Sequence, residues 1–441
     1  MDVSTPAAMM LVSKLKAHKT NPRKHSKAQI RQLADSIASF GFLAPVLIDD
    51  NHTILAGHGR VAAAKLLGMT EVPTLKFAHL SDAQKKAYRI ADNRLAEKSS
   101  WDDEALALEL QDLLKFEETE FEISAIGFDM PEIELKVQSL DDEDPDAGDE
   151  IPKALPHIVT RKGDIWQMGD HRVICGDSLD SDTYSALLGK EKMTMVLTDP
   201  PYNVPIKGHV SGLGKVVHEE FAMASGEMTE KQFYTFLRES CENMASVCAD
   251  GAILFMFMDW RHIAALLGAG DDAALELKNI CVWNKDNGGM GSLYRSKHEL
   301  VAVFKKGKAN HINNVALGRY GRNRTNVWNY RGVNTLRNGR EDELAMHPTV
   351  KPVRMLADAI QDCSNPGDYV LDAFGGSGST LIAAERMGRK ARLIEMDPKY
   401  VDVAVRRWQA LTGKDAINAL TGKTFDAQME LTAKAQDGEN L

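Results

Sequence analysis

The chain has 441 residues, of which 44% are hydrophobic, 26% charged and 7% aromatic. This is the composition of an ordinary globular protein, and it excludes collagen, disulfide-rich scaffolds and disorder along the whole chain. Five irregularly spaced cysteines without a Cys-x-x-Cys pair indicate a reducing compartment and argue against a metal site. No signal-peptide pattern is present, and the longest apolar run, residues 252–258, is far shorter than a bilayer span of ~20 residues. We therefore expect a cytoplasmic protein without membrane contact.

The net charge of −10 is distributed unevenly along the chain. Residues 97–150 contain 20 acidic and 3 basic residues, a net charge of −17. Residues 284–340 contain 12 Lys or Arg and 2 acidic residues, a net charge of +10. The average thus hides an acidic segment and a basic block, and only the block has the sign that attracts nucleic acid.

Residues 10–96 are predicted to form a small α/β domain. Ser26 and Gln29 form a capping-box pattern at the start of a helix that ends at Gly41. Short apolar runs at residues 45–48, 53–55 and 72–77 predict strands. A Gly-His-Gly-Arg loop at residues 57–60 precedes a second predicted helix over residues 61–67.

The rest of the chain divides by composition into three parts. Residues 97–156 are predicted to be an acidic helical connector that ends in a solvated linker over residues 141–146. Residues 157–415 alternate strand runs with helical stripes, which predicts an α/β domain with a doubly wound sheet. Residues 416–441 are polar, and we expect a loosely held tail.

The most informative motif is Thr-Asp-Pro-Pro-Tyr-Asn at residues 198–203, directly after an apolar strand. Two prolines cannot continue a strand ladder, so the strand ends and the loop is stiff. The Asp199 carboxylate and the Pro200 carbonyl are two acceptors for the two hydrogens of an exocyclic amine. Tyr202 adds a flat face on which a base can stack. The alternative is a strand cap followed by a turn and a surface tyrosine.

A second motif, residues 369–380, reads as a strand, a glycine loop and the start of a helix. This arrangement is typical of a site for a nucleotide-like cofactor, although such a loop alone can also be a plain turn. Glu395 ends the next predicted strand, 23 residues after Asp372, where a carboxylate can bind ribose hydroxyls. A phosphate-binding P-loop is excluded because no Gly-Lys-Ser/Thr follows. Two weaker signals are the His-Pro-Thr-Val-Lys-Pro segment at 347–352 and Asp177 at a strand end.

In the basic block, Arg and Lys alternate with Asn, Gly and aromatic residues without a helical stripe, which predicts loops and short strands. Arg and Asn side chains can read guanine and adenine edges, and Lys and Arg also neutralise phosphates. We expect contact with DNA here, and the alternative is a solvated polar insertion. The candidate DNA-binding residues are Arg319, Arg322, Arg324, Arg331 and Arg337.

Together these motifs resemble the β-class DNA amino-methyltransferases, which transfer a methyl group from S-adenosyl-L-methionine to adenine N6 or cytosine N4. The Asp-Pro-Pro-Tyr motif comes first, the basic block next and the Phe-x-Gly-x-Gly loop last, and the likeness covers about residues 160–412. It implies a Rossmann-like sheet, double-stranded DNA as partner and a target-recognition region at about residues 284–345. Relatives of this class often form homodimers, and the oligomeric state stays open.

The resemblance also assigns roles to single residues. The catalytic residues would be Asp199, Pro200, Pro201 and Tyr202. The cofactor-binding residues would be Asp177, His347, Thr349, Lys351, Asp372, Phe374, Gly375, Gly376, Gly378 and Glu395. The Asp-Pro-Pro-Tyr form is more typical of adenine N6 enzymes. Cytosine N4 methylation and a non-catalytic DNA-binding protein with a degenerate methylase domain stay open as alternatives.

The N-terminal domain resembles the ParB/sulfiredoxin-like domain, through residues 21–23, the helix ending at 40–41, the strand 45–48 and the loop 57–60. Gly59 stands where partition proteins usually have an arginine, and no cysteine precedes Cys175, so sulfiredoxin chemistry is excluded. We expect a docking or DNA-tethering module. A ParB-like module joined to a methylase is typical of mobile-element or phage DNA, and a companion restriction nuclease, as in restriction-modification, stays open.

Overall fold

The computed structural model describes residues 7–18, 23–99, 101–114, 123–138, 152, 155–204, 226–286, 288, 293–315, 324–332 and 350–439. The chain divides into two units, Met1–Asp142 and Glu143–Leu441. Within these described ranges, no helix has the length and apolar character that a membrane span requires.

The first unit contains a small sheet covered by helices. Its described strands are β1 (Ala8–Leu11), β2 (Val46–Ile48), β3 (Ile54–Ala56) and β4 (Glu71–Lys76), in the order β1-β4-β2-β3. The strands β2 and β4 run parallel, and the other pairs are antiparallel. Its helices are α1 (Lys27–Phe40), α2 (His58–Leu66), α3 (Asp82–Ala96), α4 (Asp103–Leu114) and α5 (Met130–Gln138). The predicted α/β character of this domain is thereby present, with Val46, Ile48 and Ile54 in its core.

The capping box predicted at the start of α1 is half formed. The Ser26 hydroxyl accepts a hydrogen bond from the Gln29 backbone N–H at 3.1 Å. The Gln29 side chain instead bonds to the His25 ring at 3.0 Å. A neighbouring histidine therefore takes the contact that the motif predicts for the Ser26 backbone.

The acidic segment is folded where the structure describes it. Helix α4 is the predicted amphipathic helix, and its Leu110 is buried. Ile133 of α5 is buried as well, and Lys136 forms an ion pair with Asp103 at 2.8 Å between the two helices. The predicted linker at residues 141–146 lies outside the described residues.

The second unit contains a large mixed sheet. Its described strands are β5 (Ile165–Met168), β6 (His171–Cys175), β7 (Met193–Thr198), β8 (Cys248–Met258), β9 (Leu275–Asn284), β10 (His298–Lys306), β11 (Val327–Asn329), β12 (Tyr369–Asp372), β13 (Lys390–Glu395) and β14 (Ile417–Asn418). Their order is β11-β9-β10-β8-β7-β12-β13-β6-β5-β14. Its described helices are α6 (Ser181–Leu188), α7 (Glu230–Val247), α8 (Ile263–Asp272), α9 (Val353–Cys363), α10 (Ser379–Arg386), α11 (Pro398–Thr412) and α12 (Phe425–Glu439).

The centre of this sheet is parallel and covered on both faces. The strands β8, β7, β12, β13 and β6 run parallel in that order. One hydrophobic core includes α9, α10 and α11, and a second core on the other face includes α6, α7 and α8. Strands buried on both faces are the reason for the continuous apolar runs in the sequence. The predicted doubly wound α/β fold is confirmed.

The C-terminal segment differs from the predicted loose tail. Residues Ile417–Asn418 pair with β5, and the Phe425 ring is fully buried against Trp166, with ring centroids 5.1 Å apart. Met429 packs against the same core. A few apolar residues anchor an otherwise polar segment, so its composition did not reveal that the domain continues past residue 415.

Candidate active site

Three acidic side chains meet at the carboxyl edge of the parallel sheet. Asp199 follows β7, Asp372 ends β12, and Glu395 ends β13, which are neighbouring parallel strands. Carboxyl ends of parallel strands lie at one edge, where α/β proteins bind their ligands. All three residues line the same pocket. The fold therefore brings together Asp199 and Asp372, which are 173 residues apart in the chain.

Most of the predicted site residues line this pocket. They are Asp199, Pro200, Pro201, Tyr202, Lys351, Asp372, Phe374, Gly375, Gly376 and Glu395. Asp177 does not line it: the Asp177 carboxylate accepts the Leu179 N–H at 2.9 Å, within its own loop, although its neighbours Gly176 and Ser178 are lining residues. Gly378 lies behind the pocket as the N-cap of α10. The predicted residues His347 and Thr349 lie outside the described part of the chain.

The Asp199 carboxylate already has a donor on each oxygen. The Tyr202 hydroxyl donates to Asp199 Oδ1 at 2.6 Å, and the Lys351 ammonium donates to Asp199 Oδ2. The Tyr202 hydroxyl also lies 3.1 Å from Glu299 Oε2. A ligand amine that needs this carboxylate must share it with these donors or displace them.

Lys351 and Glu299 form a buried cluster beside Asp199. Lys351 is 5% exposed, and its Nζ lies 3.2 Å from Glu299 Oε2. Lys285 donates to the other oxygen of Glu299. The rings of Tyr202, Phe257 and Trp283 lie 5.1–5.9 Å from the Lys351 Nζ. Such distances to ring faces favour a charged ammonium.

The charges in this cluster shift one another's pKa values. Burial raises the pKa of Asp199, Lys351 opposes that rise, and Glu299 adds to it. Burial would lower the pKa of Lys351, but Asp199 and Glu299 outweigh burial and raise it. Burial would raise the pKa of Glu299, but Lys351 and Lys285 outweigh burial and lower it to about 2. At neutral pH the cluster therefore contains a protonated lysine and an ionised Glu299.

Glu299 was not among the predicted site residues. It is one of only two acidic residues in the basic block. That isolated acid was the available signal. Its partners come from three other segments of the chain, so the sequence did not show that they meet.

The Asp372 carboxylate accepts hydrogen bonds from protein groups that position the glycine loop, so neither of its oxygens lacks a donor. One oxygen accepts from the Thr198 hydroxyl at 2.7 Å and from the Phe374 N–H at 3.1 Å. The other accepts from the Thr380 hydroxyl at 2.7 Å. Burial raises the pKa of Asp372 to about 6, although the three donors oppose the rise. The carboxylate thus ties the end of β7 to the loop and to the start of α10.

Two glycines of the loop pack closely against neighbouring elements. A Cβ on Gly375 would lie 3.0 Å from the Leu393 side chain, which would have to shift. Gly378 has φ +83°, and a Cβ there would lie 2.8 Å from the Ala404 Cβ. Gly378 therefore needs glycine for both its backbone conformation and its contact with α11.

Glu395 presents a carboxylate to the pocket beside the glycine loop. Its two oxygens accept from the Gly376 and Asp397 backbone N–H groups, each at 2.8 Å. Burial raises the pKa of Glu395 to about 7, and the two N–H groups oppose the rise. Each oxygen has a further lone pair, so the carboxylate can also accept from hydroxyl groups of a ligand.

The described arginines of the basic block have two different environments. Arg324 donates to Asp362 at 3.0 Å and to the Tyr330 hydroxyl at 2.6 Å, and it lies over the Trp328 ring. Arg331 is exposed. The expected DNA contact of Arg324 does not agree with this arrangement, because its charge is balanced inside the domain. Arg319, Arg322 and Arg337 lie outside the described residues.

The edge that contains Asp199 also exposes aromatic and basic side chains. Strand β8 runs parallel to β7 and therefore ends at this edge. Strands β8 and β9 are both antiparallel to β10, and β11 is parallel to β9, so β9 and β11 end at the same edge. Trp260, directly after β8, is 53% exposed, with the Arg261 guanidinium 4.8 Å from its ring centre. Tyr294 is 85% exposed in the loop between β9 and β10. The sequence interpretation did not single out these three residues.

In the first unit, packing explains the unusual Gly59. A Cβ at this position would lie 2.9 Å from the Leu33 side chain and 3.1 Å from the His25 ring. The Arg60 side chain reaches the Pro45 carbonyl at 3.4 Å, and burial lowers the pKa of Arg60. Helix α1 thus occupies the space that an arginine at position 59 would need.

Comparison with known families agrees with this geometry. A family model described as "DNA methylase" matches residues 193–406, which include both the Asp199 loop and the glycine loop. The chain therefore contains a DNA methylase domain over residues 193–406. Two further models match the chain outside this region: a ParB N-terminal domain at residues 4–94 and a ParB-methyltransferase HTH domain at residues 104–162. The predicted ParB-like domain is confirmed, and the segment expected as a connector overlaps the HTH model.

Known proteins resemble the two parts of this methylase separately. Type II methyltransferase M.HpaI of Haemophilus parainfluenzae is 24% identical over 264 residues, 56% of this chain and 78% of that protein. The ParB-like nuclease domain-containing protein YnaK of Escherichia coli K12 is 45% identical over 75 residues, 17% of this chain and 86% of that protein. The crystal structure of the M1.HpyAVI–SAM complex covers 53% of this chain and 97% of its own, with 20% identity and a TM-score of 0.40.

Proposed function

We propose that this DNA methyltransferase transfers the methyl group of S-adenosyl-L-methionine to the N6 amine of a flipped-out adenine. The observation that carries the proposal is the pocket at the sheet edge, which has the Asp199–Tyr202 loop on one side and the glycine loop with Glu395 on the other. A base and a nucleoside-like methyl donor can thus lie in one pocket. The family covers adenine N6 and cytosine N4 methylation, so the choice of adenine is part of the proposal.

The described residues fit the proposed methyl donor. Gly375, Gly376 and Glu395 line the pocket, and each oxygen of the Glu395 carboxylate accepts one backbone N–H and keeps a further lone pair. A carboxylate at the end of the strand after a glycine loop suits ribose hydroxyls. When bound, S-adenosyl-L-methionine supplies an activated methyl group on a sulfonium sulfur.

The chain's own residues then hold the target amine. Flipping the base out of the duplex costs a few kcal/mol and frees its amino group. The Asp199 carboxylate accepts one amine hydrogen and the Pro200 carbonyl the other, so the nitrogen lone pair turns towards the donor. The nitrogen gains the methyl carbon as that carbon leaves the sulfonium sulfur, which keeps the bonding electron pair. The nitrogen loses one proton to the Asp199 carboxylate that holds the amine. Positioning and electrostatics are the contributions of the protein.

DNA contact is proposed for the exposed edge beside the pocket. Arg331, Arg261 and Trp260 lie on the same sheet edge as Asp199. Guanidinium groups bind phosphates, and an exposed aromatic ring can stack on a base. The ParB-like domain is proposed as an additional DNA-tethering module, which is consistent with the HTH model that follows it.

The deciding experiment is modified-base sequencing of DNA from cells that express the protein. We expect N6-methyladenine in one short sequence context. N4-methylcytosine in its place would overturn the choice of base but not the methyltransferase assignment. Transfer of labelled methyl groups to unmethylated DNA in vitro is the second measurement. Absence of transfer by the folded, cofactor-binding protein would favour the non-catalytic DNA-binding alternative.

A further inference from the structure

The carboxylate cluster around Lys351 has one member without a role in the proposed transfer, Glu299. Its side chain is 16% exposed and has partners from three segments: Lys285 after β9, Tyr202 after β7 and Lys351 before α9. A buried carboxylate in an otherwise basic block requires a reason, since burial of a charge is unfavourable unless it is paired. Its partners include both donors that occupy Asp199.

We infer that Glu299 is a positioning residue that holds the Lys351 ammonium and the Tyr202 hydroxyl when the target amine takes the place of one of them on Asp199. This inference rests on the proposed function of the same pocket. Both donors already lie within 3.2 Å of Glu299 Oε2, so they reach it by a small movement. Lys285 fixes Glu299 from the opposite side.

The exchange keeps every polar group paired. Without a base, Asp199 accepts from Tyr202 and Lys351. With a base, one amine hydrogen takes the place of one of these donors on Asp199, and the displaced donor keeps Glu299 as its acceptor. Without Glu299, Lys351 has Asp199 as its single carboxylate partner among the described residues, and it competes with the amine. A buried ammonium without a partner is costly, so that competition favours Lys351.

The pH dependence of transfer reports this arrangement. The charged or titratable groups that face Asp199 are Lys351, Glu299, Tyr202 and, at the end of β12, Asp372; Lys285 faces Glu299. Asp199 accepts the amine only as a carboxylate, so transfer slows as the pH falls below its pKa. The negative charge of Glu299 raises that pKa and the positive charge of Lys351 lowers it. The acid limb of the pH profile is the pH range in which the transfer rate falls as Asp199 becomes protonated. A neutral residue in place of Glu299 therefore shifts this limb to lower pH, and a neutral residue in place of Lys351 shifts it to higher pH.

The experiment measures single-turnover transfer against pH on a duplex with the site found by sequencing, together with the affinity for S-adenosyl-L-methionine. For Glu299→Gln we expect a plateau rate lower by about 10-fold or more, an acid limb at lower pH and unchanged cofactor affinity. For Lys351→Met we expect the acid limb at higher pH. Glu299→Asp, which keeps the charge, should restore the limb position of the unaltered protein.

A matched control is Glu276→Gln, since Glu276 on β9 also pairs with two lysines, Lys278 and Lys305, and is far more exposed. We expect it to leave the rate and the pH profile unchanged. If Glu299→Gln slows transfer but leaves the acid limb of the pH profile in place, Glu299 has a structural role and the inference is overturned. If Glu299→Gln transfers methyl groups at the unaltered rate, the inference is overturned as well. If Glu299→Gln does not fold, an unmoved limb in Lys351→Met overturns it. Failure of the unaltered protein to methylate DNA would instead reject the proposed function.

Discussion

At the scale of single residues, the three carboxylates of the site differ in the donors that they bind. Asp372 accepts from two hydroxyl groups and one backbone N–H, and Glu395 accepts from two backbone N–H groups. The described donors of Asp199 are the side chains of Tyr202 and Lys351, which can turn away. The three acids therefore differ in role although they lie at the ends of neighbouring parallel strands.

The first prediction concerns Asp199. Asp199→Ala removes the acceptor for the amine but no contact of the glycine loop, so methyl transfer should fall by about 10²- to 10⁴-fold while cofactor affinity is kept. Labelled transfer and calorimetric titration of the cofactor measure the two effects. Asp170→Ala, at a side chain that is 75% exposed, is the control. Full methylation by Asp199→Ala would contradict the role of this residue.

The second prediction concerns the pH dependence of cofactor binding. The pKa of Glu395 is raised to about 7, so its carboxyl is protonated below that pH and loses acceptor capacity for ribose hydroxyls. The dissociation constant should rise as the pH falls from 8 to 6, by at most about tenfold per unit below the pKa. In the protein without cofactor, pH affects the stability of the fold in the opposite direction. Because the pKa of Glu395 is higher in the folded chain than in the unfolded chain, the stability that this group contributes is lost as the pH rises through about 7.

Calorimetry at pH 6, 7 and 8 measures this dependence. Glu395→Gln cannot ionise, and we expect its cofactor affinity to be weaker at pH 8 and nearly independent of pH. A pH dependence that persists in Glu395→Gln would assign the effect to another group.

At the scale of elements, the glycine loop is positioned by the helix and strand beneath it. Gly378 begins α10 with a left-handed conformation and lies against Ala404 of α11. Asp372 connects the same turn to the end of β7 through Thr198 and Thr380. The loop therefore depends on the register of three neighbouring elements and not on its own sequence alone.

The third prediction separates packing from backbone strain. Gly378→Ala adds a Cβ at 2.8 Å from Ala404 in a left-handed conformation, and we expect a loss of about 2–4 kcal/mol in unfolding free energy. Gly388→Ala has a similar φ, +64°, but no atom within 4 Å of the added Cβ, so it should cost only about 1 kcal/mol. Urea unfolding measures both. Equal losses would show that the contact with Ala404 relaxes.

At the scale of the whole molecule, the net charge of −10 is the sum of an acidic segment and a basic block, and it gives the local charge of neither. The acidic segment is folded into helices where it is described, and basic side chains lie on the same sheet edge as Asp199. DNA attraction depends on that local field and falls with added salt.

The fourth prediction distinguishes two arginines of the basic block. Arg331→Ala removes an exposed charge, so DNA binding should weaken and its logarithmic salt slope should decrease by about 1, with stability unchanged. Arg324→Ala breaks the contacts to Asp362 and Tyr330, and we expect a loss of about 2–3 kcal/mol in stability instead. Binding titrations at several salt concentrations and urea unfolding measure the two effects. A salt slope unchanged by Arg331→Ala would remove it from the DNA surface.

The sequence alone determined the parts whose signal is local. The apolar run before Asp199, the glycines before α10 and the acid 23 residues after Asp372 predicted the parallel strands and most of the pocket, because each depends on neighbours in the chain. The C-terminal helix was missed because only a few apolar residues, Phe425 and Met429 among them, anchor it within a polar segment.

Only the tertiary structure decided which charges meet. Lys351 pairs with both Asp199 and Glu299, and Lys285 pairs with Glu299 from the opposite side. Arg324 is balanced within the domain, whereas Arg331 is exposed. The physical reason is that local periodicity and turn residues define strands and loops, whereas the partner of a charged side chain depends on how distant elements pack.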